Sequence, residues 1–212
     1  MNGFESFAND VSFYSGSQFT KPKINNHVKA SGFRVEQGSE NALGFGGGIG
    51  AGIDIIDGFG LNFAALYFKK HEKYSFVLYN TSNAREVNAS VDLTYNHLVL
   101  PVMARFNLYD LFYVGLGYYY AHNFGKIHLK ATTKNELTGQ TESLDTKTNM
   151  TNTLASDHGI AAGIAAGIPL NSFHIGVDFR YHYGLDKNED DEGNTKETRD
   201  LLVLLNFRLL FK

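Results

Sequence analysis

The chain has 212 residues, of which 19% are charged and 14% aromatic, with a formal net charge of −3 and no cysteine. That length suits one domain, the missing cysteines exclude disulfides, thiolate metal sites and cysteine nucleophiles, and no basic stripe offers a footprint for nucleic acid. No apolar run reaches the roughly 18 residues of a transmembrane helix. The mean hydropathy of −0.23 does not argue against a membrane, because a barrel strand is apolar on only one face.

The N-terminus, Met-Asn-Gly-Phe-Glu, lacks the charged and apolar regions of a signal peptide. For an exported chain, this numbering is then expected to begin at the mature chain, with Met1 an added initiator. Residues 6–19 put Phe7, Val11, Phe13 and Phe19 on one face and are expected to form the first strand. The alternative for residues 1–42 is a disordered arm or a plug in a lumen.

Seven further strands are expected, at 43–56, 58–70, 93–107, 110–124, 158–170, 172–185 and 199–212. Their alternation has a period of two. In 43–56, Phe45, Ile49, Ala51, Ile53 and Ile55 oppose Gly44, Gly46, Gly48, Gly50, Gly52 and Asp54. In 110–124, Phe112, Val114, Leu116, Tyr118 and Tyr120 oppose Tyr113, Gly115, Gly117, Tyr119 and Ala121. In 158–170, isoleucines and alanines oppose glycines and alanines. In 172–185, Phe173, Ile175, Val177, Phe179, Tyr181 and Tyr183 oppose His174, Gly176, Asp178, Arg180, His182 and Gly184. In the last strand Leu201, Val203, Leu205, Phe207, Leu209 and Phe211 share a face. A face of glycines and ions cannot fill a dry core, but it can line a narrow polar lumen. An apolar outside around such a lumen is the pattern of a barrel whose solvent is lipid.

The fold class expected is therefore all-β, an eight-stranded antiparallel up-and-down transmembrane barrel formed by 1–212 as a single domain. The connections alternate in length. Those at 56–58, 107–110 and 170–172 are tight, whereas 20–42, 71–92, 125–157 and 186–198 are long and polar. Short turns face the periplasm and long loops the outside in such barrels. Phe59, Phe106, Tyr109, Phe112, Phe173, Phe207 and Phe211 gather near the short turns, and Tyr67, Tyr95, Tyr118, Tyr120, Tyr181 and Tyr183 near the loops. Rings collect at both interfaces of a membrane barrel.

Eight strands leave an interior only wide enough for side chains. Inward Asp54, Arg105, Asp178, Arg180 and Arg208, with Asn62 and Asn206, are expected to fill it as an ion-paired plug, since buried charges must be paired. His174 and His182 flank Asp178, but four residues along a strand span about 13 Å, so no single metal ion reaches all three. His122 and Ser156-Asp157-His158 are the residues a lipid hydrolase would have to bring together near the outer leaflet. Gly46-x-Gly48-x-x-Ala51 fits a loose dinucleotide fingerprint, but that motif needs a strand-to-helix turn. The acidic run 186–191 lacks the glycine of a calcium loop. No cofactor is expected.

A second alternation lies in the loops. Tyr74, Phe76 and Leu78, then Val87, Ala89, Val91, Leu93 and Tyr95, oppose polar residues. The apolar parity changes near His97 and near Gly125, as it would at a β-bulge or at the end of the membrane zone. The third, fourth and fifth strands are thus expected to run beyond the bilayer. Phe76, Leu78, Val91 and Leu93 would form a partner-binding extension.

Two strands carry a resemblance. Tyr95-Asn-His-Leu-Val-Leu-Pro101-Val-Met-Ala-Arg105-Phe106, followed by Phe112-Tyr-Val-Gly-Leu-Gly117-Tyr-Tyr-Tyr120, is similar to a strand pair of the PorT-like outer-membrane β-barrel domain. The chain departs from that pattern with Tyr118 in place of a proline and Ala64 in place of an inward glutamate. The resemblance implies an outer-membrane barrel and leaves its task open, because these barrels host several functions. The function expected is structural or interaction-based, without enzymatic activity. The alternatives are a subunit of a larger outer-membrane secretion or assembly complex, and an outer-leaflet lipid-modifying enzyme. The partners expected are outer-membrane lipid and a protein at the extracellular face, around a monomeric barrel.

Overall fold

The computed structural model describes residues 9–21, 23–25, 29–30, 33–79, 85–109, 112–149, 156–170, 173–185, 188–189 and 195–211. Eight strands form a ring: β1 (Asn9–Thr20), β2 (Ala42–Ile56), β3 (Phe59–Tyr79), β4 (Arg85–Tyr109), β5 (Phe112–Asn135), β6 (Ser156–Leu170), β7 (Phe173–Gly184) and β8 (Arg199–Phe211). Each pairs antiparallel with the next, and β8 returns to β1. Phe13 lies opposite Phe207 on one side and Ile49 on the other, so β1 closes the barrel and residues 9–20 are wall, neither arm nor plug. Phe7 lies outside the described residues.

Alternation dictates the facing. Phe45, Ile49, Leu116, Ile164, Ile168 and Leu205 are exposed on the outside, while Arg105, Asp178, Arg180, Leu202 and Leu204 are buried inside. An exposed apolar belt of this extent is unfavourable in water. In lipid it is the favourable side, and ring closure satisfies every strand edge at membrane depth. From Phe106 to Leu98 and from Ile168 to Ile160 the belt runs the length needed to cross a bilayer, about 9–11 residues of tilted strand. The turn after β2 is tight: Gly58 adopts φ 76° and its carbonyl accepts the Asn107 N–H at 2.8 Å. The turns at 110–111 and 171–172 lie outside the described residues.

Three strands are far longer than a crossing requires. β3 has 21 residues, β4 has 25 and β5 has 24, against 12 for β7 and 13 for β8. Much of the expected loops 71–92 and 125–157 is therefore strand. Three more strands widen this extension, Phe33–Glu40 beside β3, Lys29–Ala30 beside that, and Thr141–Asn149 beside β5. All nine residues of Thr141–Asn149 are exposed, and among the described residues that strand pairs on one edge only. A small separate sheet joins Lys23–Asn25, Asn188–Glu189 and Thr195–Glu197.

Both parity changes mark the end of the membrane zone. Near Gly125 the register moves from Asn96↔Phe124 to Thr94↔His128, and Gly125 has φ 81°. That is a bulge at a glycine, whose left-handed backbone other residues rarely adopt; the register shifts by two, so Phe124 and His128 keep the outward face and Ile127 and Leu129 the inward one. Near His97 the pairing with β3 stays regular. There the lipid simply ends, and the apolar residues shift to the face that continues the lumen.

Candidate functional site: the lumen and the extracellular sheet

The lumen is layered. At the turn side, Arg105 Nη1 donates to Asp10 Oδ2 at 2.7 Å and Nη2 to Asp54 Oδ1 at 2.5 Å. Arg180 donates to Asp178 Oδ2 from Nη2 at 2.6 Å and from Nε at 3.0 Å, and reaches Asn62 at 3.4 Å. The Tyr113 hydroxyl donates to the same Asp178 oxygen at 2.6 Å. Arg208 lies over the Tyr113 ring, with its Nε 3.7 Å from Asp10. The five residues singled out in the sequence thus fall into one network. Asp10, which the sequence reading passed over, bridges Arg105 and Arg208.

An apolar layer follows on four strands in the same order. Tyr14 lies between Asp10 and Gln18 on β1, and Leu66 and Phe68 between Asn62 and Lys70 on β3. Val99 and Met103 lie between His97 and Arg105 on β4, and Leu202 and Leu204 between Asp200 and Asn206 on β8. These apolar groups form one buried cluster.

Beyond it is a second polar layer, which the sequence reading missed. Asp200 accepts from Lys70 at 2.9 Å, Gln18 at 2.7 Å and Thr20 at 2.7 Å. His97 Nε2 is 4.0 Å from Asp200, and its Nδ1 is 2.6 Å from Asn123 Oδ1. Tyr95 and Tyr74 donate to Glu72 at 2.6 and 2.5 Å. His182 stacks on Tyr119, whose hydroxyl reaches Asp157 at 2.9 Å. The expected plug was ionic throughout; the lumen is instead two ionic layers with an apolar one between them. Continuing the inward parity of β3 past residue 68, and of β8 back to 200, would have found Lys70, Glu72 and Asp200.

The buried apolar layer is expected to interrupt any aqueous path along the lumen. Planar-bilayer recordings of the refolded barrel should show no stable channel. A reproducible, saturable conductance would refute the layered seal.

Strand parity also separates the residues considered for hydrolysis. His122 and Ser156 are cross-strand neighbours on the outer face, and His158 packs beside Tyr118 there. Asp157 is buried on the inner face with Tyr119. His, Ser and the acid therefore do not converge. His182 and Asp178 belong to different layers of the lumen.

Above the membrane, Phe76 and Leu78 of β3 and Val91 and Leu93 of β4 are half-buried on the face continuous with the lumen. Tyr74 lies opposite Val91, and Phe76 opposite Ala89. Leu129 and Ala131 continue the face on β5, and Leu144, 56% exposed, on the edge strand. Burial, with the Glu72 carboxylate next, pushes the Tyr74 phenol well above its ordinary pKa.

A closed antiparallel ring, an apolar outer belt and a filled lumen define a transmembrane β-barrel of the outer-membrane type. No family model and no curated protein matches the chain, so the PorT-like resemblance stands on its strand motifs alone. Solved structures of small outer-membrane proteins do match. The chain is 10% identical to OprG from Pseudomonas aeruginosa, covering 97% of each chain with a TM-score of 0.49. It is 11% identical to Ail, the attachment invasion locus protein of Yersinia pestis, covering 97% of this chain and 100% of that one at 0.41. Neisserial surface protein A is 16% identical, over 94% of this chain and 97% of its own, at 0.37.

Proposed function

We propose that this outer-membrane barrel is a closed anchor that carries an extracellular interaction sheet. The observation that carries this reading is the length of β3, β4 and β5. Crossing the bilayer uses about 9–11 residues of each, and the remainder builds a sheet with an amphipathic face that no lipid accounts for. Phe76, Leu78, Val91 and Leu93 form the centre of that face. It suits an extended protein segment with alternating apolar side chains, bound by packing and strand addition. A stoichiometric partner would make the barrel a subunit of a larger outer-membrane assembly.

The test compares proteins that co-purify with wild type from native membranes in mild detergent against those retained by a Phe76→Asp/Val91→Asp variant. The variant should keep heat-modifiable gel mobility and lose its partner. A second variant removes 74–91 and joins Lys73 to Asp92, which already lie opposite one another. If both folded variants retain every native partner, the sheet is not the docking surface.

A further inference from the structure

The outward face of the barrel changes chemistry abruptly at the extracellular end of the belt. Lys69 follows Tyr67 on β3, Lys126 follows Phe124 on β5, His158 follows Ile160 on β6, and Arg199 follows Leu201 on β8. Lys21 follows Phe19 just beyond β1. On no strand is the corresponding residue a carboxylate: the others are Asn41, Asn96 and Leu185. The belt therefore ends, on five of eight strands, in a basic residue at the depth of the lipid headgroups: four cations and one imidazole.

The same excess continues up the outer face of the extension. Three lysines there have carboxylate partners: Lys73 lies 4.0 Å from Asp92, Lys130 3.7 Å from Asp145 and Lys134 2.9 Å from Glu136. Lys69, Lys126 and Lys147 are exposed and have no ion pair among the described residues. His71 stands between Lys69 and Lys73, and its pKa is held below the ordinary value, by partial burial first and by Lys69 next. His128 is held at 2.5 Å by Asp145. Charge thus accumulates on the side of the sheet continuous with the outward face of the barrel, whereas the opposite side is apolar.

We propose that this outward basic ring, centred on Lys69 and Lys126, binds the phosphate-bearing headgroups of outer-leaflet lipid. The two lysines stand on strands two apart, a separation of about 10 Å, which suits a headgroup carrying more than one phosphate. Tyr67, whose hydroxyl donates to Asn96 at 2.8 Å, and Phe124, 6.1 Å from the Tyr67 ring, floor the gap between them. An aromatic floor under unpaired cations matches a lipid, with sugar or acyl surface below its phosphates, better than it matches a free anion.

The barrel is refolded into phosphatidylcholine vesicles containing either bisphosphorylated lipid A or the same saccharolipid with its phosphates removed. Lipid retained per barrel after extraction in mild detergent is read by native mass spectrometry. Wild type should retain the phosphorylated form preferentially, and retention should weaken as ionic strength rises. K21Q/K69Q/K126Q should lower it about tenfold or more, since each such charge near an anionic surface contributes appreciably. K21R/K69R/K126R should preserve it. Equal retention of the two lipids, insensitivity of wild type to salt, or undiminished retention by the folded glutamine variant would overturn the proposal. Displacement by inorganic phosphate at matched concentration would also overturn it, by assigning the ring to free anions.

Discussion

Leu116→Arg should cost about 2–4 kcal/mol of folding stability in a bilayer, the measured range for arginine at the lipid-facing midplane of a barrel. Leu116 is an outward residue in the membrane-crossing part of β5 and is 59% exposed. Its neighbours Val102, Ala104 and Ala162 offer no partner for a guanidinium. Denaturant titration of heat-modifiable mobility in lipid vesicles measures the cost, with Leu116→Ile as the conservative reference. An arginine tolerated as well as isoleucine would sink the assignment of the outer face to lipid. An inward glycine does not serve as the mild control: a Cβ on Gly176 would lie 2.4 Å from the Ala166 carbonyl oxygen. The close approach of neighbouring backbones there admits no side chain, although the sequence alone suggests that Gly176→Ser should be harmless.

The second large effect is expected inside. Arg180→Met leaves Asp178 wholly buried without the cation that faces it through two hydrogen bonds. Stranding one member of a buried pair typically costs about 3–5 kcal/mol. Replacing both, as Arg180→Met/Asp178→Leu, should recover most of the loss, because apolar pairs of similar volume often match the ion pair they replace. The same vesicle titration tests this. If Arg180→Met alone unfolds no more readily than the double variant, the pair does not hold the lumen together.

The barrel was legible because every crossing strand repeats the same two-residue alternation, and glycine rows such as 44–52 leave no other side to call core. β1 was harder. Its outward face is interrupted by Ser15 and Ser17, and its inward residues Asp10, Ser12, Gln18 and Thr20 are polar because they complete networks on other strands. The lumen charges were legible one by one from parity, but their pairing was not. Arg208 meets Asp10 across the β1–β8 seam, and Asp200 gathers Lys70 from β3. Which strands face each other across a barrel depends on the stagger of closure, which no single strand encodes. The upper layer was missed for a related reason. Lys70 and Glu72 look like the start of a solvated loop until the strand is known to continue to Tyr79.

The edge strand Thr141–Asn149 carries a further consequence, one of direction. Its row of N–H and C=O groups, unpaired among the described residues, would readily join another such row running the opposite way. Every copy enters its membrane with the same polarity, so in neighbouring barrels this strand, antiparallel to β5, descends toward the bilayer in the same sense. Glu142, Asp145 and Lys147, spaced along it, discourage what parallel pairing remains. Lateral self-association is thus opposed by the orientation of insertion itself. Only between two apposed membranes, where one population of barrels points up and the other down, do these edges meet antiparallel.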